Sequence, residues 1–227
     1  MNAKKIAGEK AADYVKDGMT VGLGTGSTVY WTILKLGERV KQGLELRGVP
    51  TSERTRQLAE QLGIPLVPLA EAEPLDLTID GADEISDELD LIKGGGGALF
   101  REKMVALASK RLLIVADESK RVQRLGAFPL PVEVVPFAWE VTARRIERLG
   151  CHPRLRLADK GTFLTDNGNF ILDCDCGLIA EPAVLNRKLK ELTGVVDTGL
   201  FIGMADTVII GASEGAKTVE RQCGTDA

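Results

Sequence analysis

The sequence is poor in histidine and has no long hydrophobic run. Its one histidine, His152, precedes Pro153 in what reads as an exposed turn, which argues against metal sites and catalytic triads that depend on histidine. No apolar run approaches the roughly 18 residues needed to cross a bilayer. The start of the chain, Met1 to Glu9, becomes charged before a signal-peptide core could form. We therefore expect a cytoplasmic protein with no membrane partner.

The sequence also lacks an excess or a stripe of positive charge. The net charge is −4 and the basic residues are scattered, so we expect no nucleic-acid partner. The cysteines show no Cys-x-x-Cys spacing; they are Cys151, Cys174, Cys176 and Cys223. Cys174 and Cys176 would share one face of a strand, but no second pair or nearby histidine completes a metal site. We therefore expect reduced structural thiols and no metal cofactor.

The first half of the chain alternates helix and strand patterns. Helices are predicted at 3–17, 27–42, 52–62 and 97–109, and strands at 20–23, 46–49, 64–67, 75–79 and 112–116. Strands that alternate with helices favour a parallel sheet covered on both faces. The fold class is therefore α/β, with a Rossmann-like, doubly wound parallel sheet domain.

The pattern changes near residues 129–131. Strands at 132–135, 154–157 and 195–202 and helices at 138–149 and 182–192 follow, with a hairpin turning at Asn167-Gly168. This β-α-β-β-α-β order predicts a ferredoxin-like α+β domain. A last strand at 207–210 would rejoin the first sheet, so the second domain is an insertion. The predicted domains are 1–129 plus 204–227, and 130–203.

The first functional motif is Gly22-Leu23-Gly24-Thr25-Gly26-Ser27-Thr28, here called the first glycine turn. It follows a strand and opens a helix, so backbone N–H groups and hydroxyls would converge on an anion such as phosphate. The dinucleotide fingerprint is not met, because Ser27 occupies its third glycine position. The alternative is a tight turn that only needs glycine. The pattern favours a monophosphate site with hydroxyl donors.

An acidic loop, Asp80-Gly81-Ala82-Asp83-Glu84, follows the predicted strand at 75–79. Ligands of open α/β sheets bind at the carboxyl ends of strands, which favours a functional role. A calcium loop is rejected, because Thr78 occupies a ligand position and Asp87 replaces the bidentate glutamate. On this motif alone, a solvated acidic turn remains equally acceptable.

The third motif runs from Lys93 through Gly94-Gly95-Gly96-Gly97, the second glycine turn, to Glu102. Glycines allow close approach to a ligand, and their N–H groups can face a developing oxyanion beside the charge of Lys93. Glu102, about one turn into a helix, is a candidate general base, and partial burial would strengthen it. Alone, it would read as an exposed acid that complements the helix dipole.

Two weaker signals lie near the end of the same sheet. Lys120 follows the strand at 112–116, although most lysines so placed are merely solvated. The segment 211–218 nearly spells a phosphate-binding loop of nucleotide-binding proteins, but Ala216 replaces its second glycine. We therefore interpret the similarity of this segment to a phosphate-binding loop as coincidental.

Together these segments closely resemble the type A ribose-5-phosphate isomerase family. The matching segments run in family order over nearly the whole chain: 22–28, 80–84, 92–103, 116–120, 128–134, 165–169, 194–196 and 199–201. The resemblance implies interconversion of ribose 5-phosphate and ribulose 5-phosphate without metal or nucleotide, in the non-oxidative pentose phosphate pathway. It also implies a homo-oligomer, a dimer or tetramer.

The resemblance also implies roles for particular residues. By position it makes Glu102 the proton acceptor, with Asp83, Lys93 and Asp80 as further catalytic groups. The substrate-binding residues it implies are Thr25, Gly26, Ser27, Thr28, Asp80, Gly81, Ala82, Asp83, Lys93, Gly94, Gly95, Gly96 and Lys120. Lys4 and Ser52 match less specific contacts. The sequence after Glu220 carries no inference.

Two rival functions use the same motifs. A phosphosugar-sensing module would keep the phosphate site without turnover, but it should carry a DNA-binding segment, and the chain is expected to start with the sheet domain. An isomerase or deaminase of amino-sugar phosphates commonly uses a histidine, for which His152 is poorly placed. We therefore favour the sugar-phosphate isomerase.

Overall fold

The computed structural model describes residues 2–221. Its helices are α1 (Ala3–Ala12), α2 (Val29–Lys41), α3 (Glu53–Gln61), α4 (Leu99–Leu107), α5 (Trp139–Glu147) and α6 (Pro182–Lys190). Its strands are β1 (Met19–Leu23), β2 (Leu46–Pro50), β3 (Leu77–Gly81), β4 (Glu84–Ile85), β5 (Leu91–Ile92), β6 (Leu112–Asp117), β7 (Leu130–Val134), β8 (His152–Leu155), β9 (Leu157–Ala158), β10 (Gly161–Thr162), β11 (Phe170–Asp175), β12 (Val195–Thr198), β13 (Leu200–Phe201), β14 (Thr207–Ala212) and β15 (Gly215–Glu220).

The described chain forms two compact units, one of residues 2–81, 105–120 and 203–221, the other of residues 82–104 and 121–202. The first unit is built on a six-stranded sheet in the order β15-β14-β6-β3-β1-β2. All its pairings are parallel except the β14–β15 hairpin. Its strands are nearly continuous apolar runs, as expected for a parallel sheet covered on both faces. The predicted Rossmann-like sheet is confirmed, and the strand predicted at 207–210, β14, does rejoin it beside β6.

Local sequence explains where the helices of this unit begin. Asn2 caps α1 by accepting hydrogen bonds from the N–H groups of Lys4 and Lys5, and Ser52 caps α3 by accepting from Thr55 N–H. The core between sheet and helices contains alanines of α1 and branched side chains of α2 and the strands: Ala7, Ala11, Val21, Leu23, Ile33, Leu36, Ile79, Leu113, Val115 and Ile209. This packing brings the carboxyl ends of β1 and β3, and the turns that follow them, to the same edge of the sheet.

The second unit contains the antiparallel sheet β12-β7-β11-β8. In chain order these strands are fourth, first, third and second, the order of a ferredoxin-like fold, and α5 and α6 are its crossover helices. Its core includes Leu130, Val132, Val134, Ile146, Leu172 and Leu189. A second, three-stranded sheet, β13-β5-β4, carries the acidic loop and the second glycine turn.

Two predicted strands were wrong in detail. Residues 64–67 form only an isolated bridge, from Leu66 to Gly48, because the chain leaves the sheet after that contact. The predicted strand at 195–202 divides into β12 and β13, which belong to different sheets. Gly199 makes the change, since its N–H donates to Pro131 O (2.7 Å) while its carbonyl accepts from Lys93 N–H (2.8 Å). A Cβ at Gly199 would lie 2.2 Å from the Lys93 carbonyl oxygen, so only glycine fits this crossing.

The predictions for cysteine and histidine also need correction. Cys151 and Cys176 form a disulfide, so these two are not the reduced thiols we expected. The sequence could not reveal this pair, because Cys151, just before β8, and Cys176, just after β11, are 25 residues apart and only meet after folding. Cys174 is a buried free thiol whose pKa is raised by burial, and Cys223 lies outside the described residues. His152 begins β8 rather than lying in a turn.

The compact units do not follow the predicted domain limits. Residues 82–104 and 121–129 group with the second unit rather than the first. The physical reason is the sheet in which β13, from the end of the ferredoxin-like segment, pairs with β5. Because compactness is not independent folding, the limits 1–129 plus 204–227 and 130–203 stay a prediction. No helix among residues 2–221 is long and apolar enough to span a membrane.

Candidate active site

The first glycine turn connects β1 to α2 and is held by a cluster of hydroxyl groups. Thr25 Oγ1 lies 2.8 Å from Thr51 Oγ1, 2.7 Å from Ser52 Oγ and 3.1 Å from Thr55 Oγ1. Thr55 Oγ1 in turn donates to the Gly24 carbonyl at 2.9 Å. The hydroxyls of Thr25 and Ser52 are therefore engaged within the protein. The exposed members of the turn are Gly26 and Ser27.

Asp80 fixes the same turn from β3. It is fully buried, and its Oδ1 accepts hydrogen bonds from the N–H groups of Thr25 (3.0 Å) and Gly81 (2.8 Å). A Cβ at Gly24 would lie 2.2 Å from this oxygen, which explains why the turn has glycine there. Asp80 is thus no solvated acid; it orders the backbone of the turn. Its catalytic role stays a prediction.

The cationic groups predicted for substrate lie around Ser27 and Asp117. Lys4 Nζ donates to Ser27 Oγ at 3.0 Å. Burial opposes ionisation of Asp117, but hydrogen bonds from Ser119 and the charges of Lys4 and Lys120 outweigh it and lower the Asp117 pKa. The charge of Asp117 therefore draws Lys4 and Lys120 towards one place in the first unit. An ammonium group on a hydroxyl just before a helix start, as for Lys4 on Ser27, suits an anionic ligand.

In the second unit, the acidic loop and the second glycine turn are joined directly. Gly95 N–H donates to Asp83 Oδ2 at 2.7 Å, and Asp83 N–H donates to Ile92 O at 2.8 Å. Glu84, 3% exposed, accepts from the N–H groups of Gly126 and Phe128 at 2.7 and 2.6 Å. The solvated-turn alternative therefore fails for Glu84. Asp83 is half-buried beside the exposed backbone of Gly95 and Gly96.

Lys93 and Glu102 form a buried ion pair. Lys93 Nζ lies 3.4 Å from Glu102 Oε2, and the two side chains are 2% and 5% exposed. Lys93 is at the start of the glycine turn, while Glu102 is in the first turn of α4, where its N–H donates to Ala98 O at 2.9 Å. Glu102 is therefore not the exposed first-turn acid of the alternative interpretation. A buried carboxylate beside a lysine is suited to take a proton when a ligand engages that lysine.

Several residues that sequence reasoning missed surround this pair. The ring of Phe201 has Lys93 Nζ 5.3 Å and Lys103 Nζ 4.8 Å from its centroid. Lys103 is bonded to Asp197 Oδ1 and to Thr198 O, each at 2.7 Å. Burial lowers the Lys103 pKa, against the opposing effect of Asp197. The only indication of this network in the sequence was the charged residue Lys103, next to Glu102 in a buried helix.

Arg101 ties the start of α4 to the hairpin at 166–168. Its Nε donates to Asn167 Oδ1 and its Nη2 to Asp166 O, both at 2.9 Å. The buried Glu133 holds the hairpin, because its Oε1 accepts hydrogen bonds from the Thr165 hydroxyl and from the side-chain amides of Asn167 and Asn169. The Asn-Gly signal predicted the turn, but the sequence did not indicate that it would support the helix carrying Glu102.

The fold and these groups define a class: an α/β protein with a hydroxyl-rich glycine turn after β1 and a buried lysine–carboxylate pair of the kind that proton transfer needs. The sequence profile of ribose 5-phosphate isomerase A (phosphoriboisomerase A) matches residues 47–215. The chain is 59% identical to ribose-5-phosphate isomerase A of Bacillus mycoides, covering 96% of this chain and 99% of that one. It is 61% identical to the Bacillus cereus protein of the same name, over 95% of this chain and 98% of the relative.

Solved structures give the same result. The ribose 5-phosphate isomerase A of Methanocaldococcus jannaschii superposes with a TM-score of 0.93 at 41% identity, covering 96% of this chain and 98% of that chain. A D-ribose-5-phosphate isomerase in complex with phospho-erythronic acid superposes with a TM-score of 0.94 at 38% identity, covering 97% of this chain and all of that chain. The chain belongs to the ribose 5-phosphate isomerase A family.

Proposed function

We propose that this protein interconverts D-ribose 5-phosphate and D-ribulose 5-phosphate by acid–base proton transfer, in the non-oxidative branch of the pentose phosphate pathway. The observation that carries the proposal is the buried pair of Lys93, at the start of the second glycine turn, and Glu102, in the first turn of α4, which lie 3.4 Å apart. An aldose–ketose isomerisation moves one proton between neighbouring carbons, so it needs one base and a positive charge for the oxygen. Family membership supports the same reaction.

The phosphate is bound by the first glycine turn. Gly26, Ser27 and Thr28 supply backbone N–H groups and hydroxyls at the start of α2, and Lys4 and Lys120 supply charge. Thr25 contributes mainly by shaping the turn, because its hydroxyl is bonded to Thr51, Ser52 and Thr55 and its N–H donates to Asp80 Oδ1. This arrangement binds substrate and transition state alike, so it sets KM more than kcat.

The proton is moved by Glu102. After ring opening, assisted by Asp83, Glu102 removes the proton from C2 of the aldehyde, and the electron pair forms a cis-enediolate with negative charge on O1. Glu102 then returns the proton to C1, while the proton of the C2 hydroxyl is transferred to O1 through Asp83. The product is the ketose, with no net change of protons or electrons.

The developing oxyanion is stabilised chiefly by Lys93. Removal of a good preorganised donor typically lowers a rate by about 100- to 1,000-fold. Gly95 N–H is already bonded to Asp83 Oδ2, so the glycine turn contributes partly by holding Asp83 rather than by facing the oxyanion with every amide. For Gly95 this narrows the predicted role to holding Asp83 and shaping the substrate surface, while the predicted roles of Gly94 and Gly96 are unchanged.

A coupled assay with ribose 5-phosphate, run with and without a chelator, tests the proposal. We expect turnover that the chelator does not change, and a fall in kcat of about 100- to 10,000-fold in Glu102→Gln. Glu38→Gln, an exposed glutamate of α2, is the matched control and should keep full activity. Absence of turnover by folded protein would disprove the function. If Glu102→Gln kept most of its kcat while Asp83→Asn abolished it, the base would be misassigned.

Ligand competition gives a second test. One solved relative is described in complex with phospho-erythronic acid, and we propose that this chain binds the same acid at its substrate site. We expect competitive inhibition that weakens in Ser27→Ala. A noncompetitive pattern would place the acid elsewhere.

We also propose a cytoplasmic location and a homodimer or homotetramer. Exposed apolar side chains of the second unit, Phe137 (90%), Leu157 (70%) and Leu164 (58%), support self-association; light scattering that gives a monomer mass would refute it. A cytoplasmic location means that the disulfide seen in the structure between Cys151 and Cys176 should be reduced to two thiols in the cell, because disulfides are rare in reducing compartments. Alkylation at the moment of lysis measures this, and full protection of both cysteines would contradict the location.

A further inference from the structure

We propose that Arg156 is a positioning residue that fixes two peptide planes of the second glycine turn, with Asp173 as its anchor. The inference deepens the proposed function, on which it rests, since the turn lies beside Lys93 and Asp83. Arg156 is between β8 and β9, and its side chain is 13% exposed. Neither its sequence context nor the predicted substrate site singled it out.

The guanidinium of Arg156 is bonded on every side. Its Nε donates to Asp173 Oδ2 at 2.9 Å, and its Nη2 donates to Asp173 Oδ1, which forms a two-pronged ion pair with β11. Its Nη1 donates to the carbonyl oxygens of Gly94 (2.9 Å) and Gly95 (3.2 Å). The Phe163 ring centroid lies 5.7 Å from its central carbon. One rigid group therefore joins a strand of the ferredoxin-like sheet to the glycine turn.

These bonds set the direction of the amide groups. In a trans peptide the C=O of one residue and the N–H of the next point in opposite directions. Anchoring the Gly94 carbonyl to Arg156 therefore turns Gly95 N–H the other way, where it donates to Asp83 Oδ2 at 2.7 Å. Anchoring the Gly95 carbonyl likewise turns Gly96 N–H away from Arg156. Arg156 and its anchor Asp173, here called the clamp, thus determine both where Asp83 is held and which side of the turn presents an N–H group.

An external clamp is needed because the turn cannot hold itself. Glycine populates both signs of φ freely, so a run of glycines can reverse a peptide plane at little energetic expense. Gly94 and Gly97 have φ of +107° and +81°. At the far end of the turn, a Cβ on Gly97 would lie 2.3 Å from Phe163 Cζ. Arg156 and the neighbouring ring of Phe163 therefore limit the conformation of the turn from one side.

Arginine is required by this geometry, since a lysine is a point charge that cannot serve two carboxylate oxygens and two carbonyls at once. A cavity of about 460 Å³ also opens beside the clamp, lined by Gly95, Phe128, Pro129, Arg154, Arg156 and acidic residues of β11. A small ion can therefore reach the position of the Arg156 head group from solvent. This makes chemical rescue by guanidinium a practical readout.

The test compares Arg156→Ala and Arg156→Lys with Arg154→Ala, an exposed arginine of β8 two residues away. We expect kcat to fall by about 100-fold in both Arg156 variants, as for a catalytic group displaced by about 1 Å, while KM changes little. In Arg154→Ala we expect kcat and KM to stay unchanged. Added guanidinium should raise the rate of Arg156→Ala in a saturable way. Asp173→Asn, which retains one acceptor oxygen, should give a smaller fall of about 10-fold.

Hydrogen exchange of the Gly95 amide separates this inference from the proposed function, because it needs no turnover. We expect faster exchange at Gly95 in Arg156→Ala and Arg156→Lys than in the wild type, with unchanged exchange in the β7 and β11 core. Unchanged Gly95 exchange, full kcat in folded Arg156→Lys, or losses that only follow a reduced folded fraction in every variant would overturn the clamp. If the wild type does not turn over ribose 5-phosphate, the function fails and the exchange result still decides the clamp.

Discussion

The two glycine-rich turns of this protein are held by opposite means. The first, at residues 22–28, is held by neutral hydroxyls and by one buried carboxylate, Asp80, that accepts from backbone N–H groups. The second, at residues 94–97, is held by charged groups. Asp83 accepts a hydrogen bond from a backbone N–H group of the turn, and Arg156 donates to two of its carbonyl oxygens. The buried pair of Lys93 and Glu102 lies beside it. The first is open at Gly26 and Ser27, and the second begins at a lysine that is 2% exposed.

This difference teaches how binding and chemistry make separate demands on a backbone. A phosphate keeps its charge throughout the reaction, so fixed dipoles at a helix start bind it adequately in an exposed place. An enediolate acquires charge only as the proton moves, so the charge that stabilises it is most effective when buried and already in position. The predictions below follow from that contrast, with the largest effect first.

Removal of Lys93 should have the largest effect. In Lys93→Met we expect kcat to fall by about 100- to 1,000-fold and the free energy of unfolding to fall by about 3–5 kcal/mol, because a buried carboxylate loses its partner. Steady-state kinetics and urea denaturation measure both effects. Adding Glu102→Gln should recover much of the lost stability but none of the activity. Equal stability losses in the single and double variants would show that the two groups are not coupled.

A methyl group added at Gly97 of the second turn should destabilise the protein more than one added at the exposed Gly26 of the first turn. In Gly97→Ala we expect a loss of about 1–3 kcal/mol from crowding against Phe163, in addition to about 1–2 kcal/mol from its left-handed backbone. Gly26→Ala meets open space and only backbone strain at φ +144°. Thermal denaturation of the pair checks this, and a greater loss in Gly26→Ala would reverse the comparison.

Removal of the Ser27 hydroxyl should affect binding alone. We expect KM to rise about 10-fold in Ser27→Ala, equivalent to one charge-assisted hydrogen bond of about 1.5 kcal/mol, while kcat stays within a factor of two or so. Ser213→Ala, on the exposed β14–β15 turn, is the control. A fall in kcat with unchanged KM would mean that the first turn takes part in the chemistry.

The smallest effect should come from Asp117, whose pKa is lowered in the folded protein. A lowered carboxyl pKa contributes stability that is present above the unfolded value of about 3.9 and is lost as pH falls through the folded value. Asp117→Asn should therefore lose at most about 1 kcal/mol at pH 7, since the group is partly exposed, and nothing once pH lies well below the folded pKa. Urea denaturation at several pH values tests this; a difference that persists in acid would exclude linkage as its cause.

The sequence alone determined the elements and the chemistry of each turn. Alternating apolar strands and helices predicted the parallel sheet, and Ser52 and Asn167-Gly168 marked a helix start and a hairpin through purely local hydrogen bonds. The glycine runs and the charges beside them predicted the two turns, because backbone freedom and charge are properties of the residues themselves. The sequence could not show that residues 64–67 form only an isolated bridge, or that the strand predicted at 195–202 is divided at Gly199. Both outcomes depend on strands far away in the chain.

Only the tertiary structure decided which partner each charge has. Lys93 and Glu102, Arg156 and Gly94, Lys103 and Asp197, and Cys151 and Cys176 are joined by packing of elements between 9 and 94 residues apart. Side-chain reach is a few ångströms, so such pairs exist only after the sheets have placed their strands. The residue types made proton transfer possible, and the fold determined that Glu102 would be buried beside a lysine and that an arginine would hold the turn next to it.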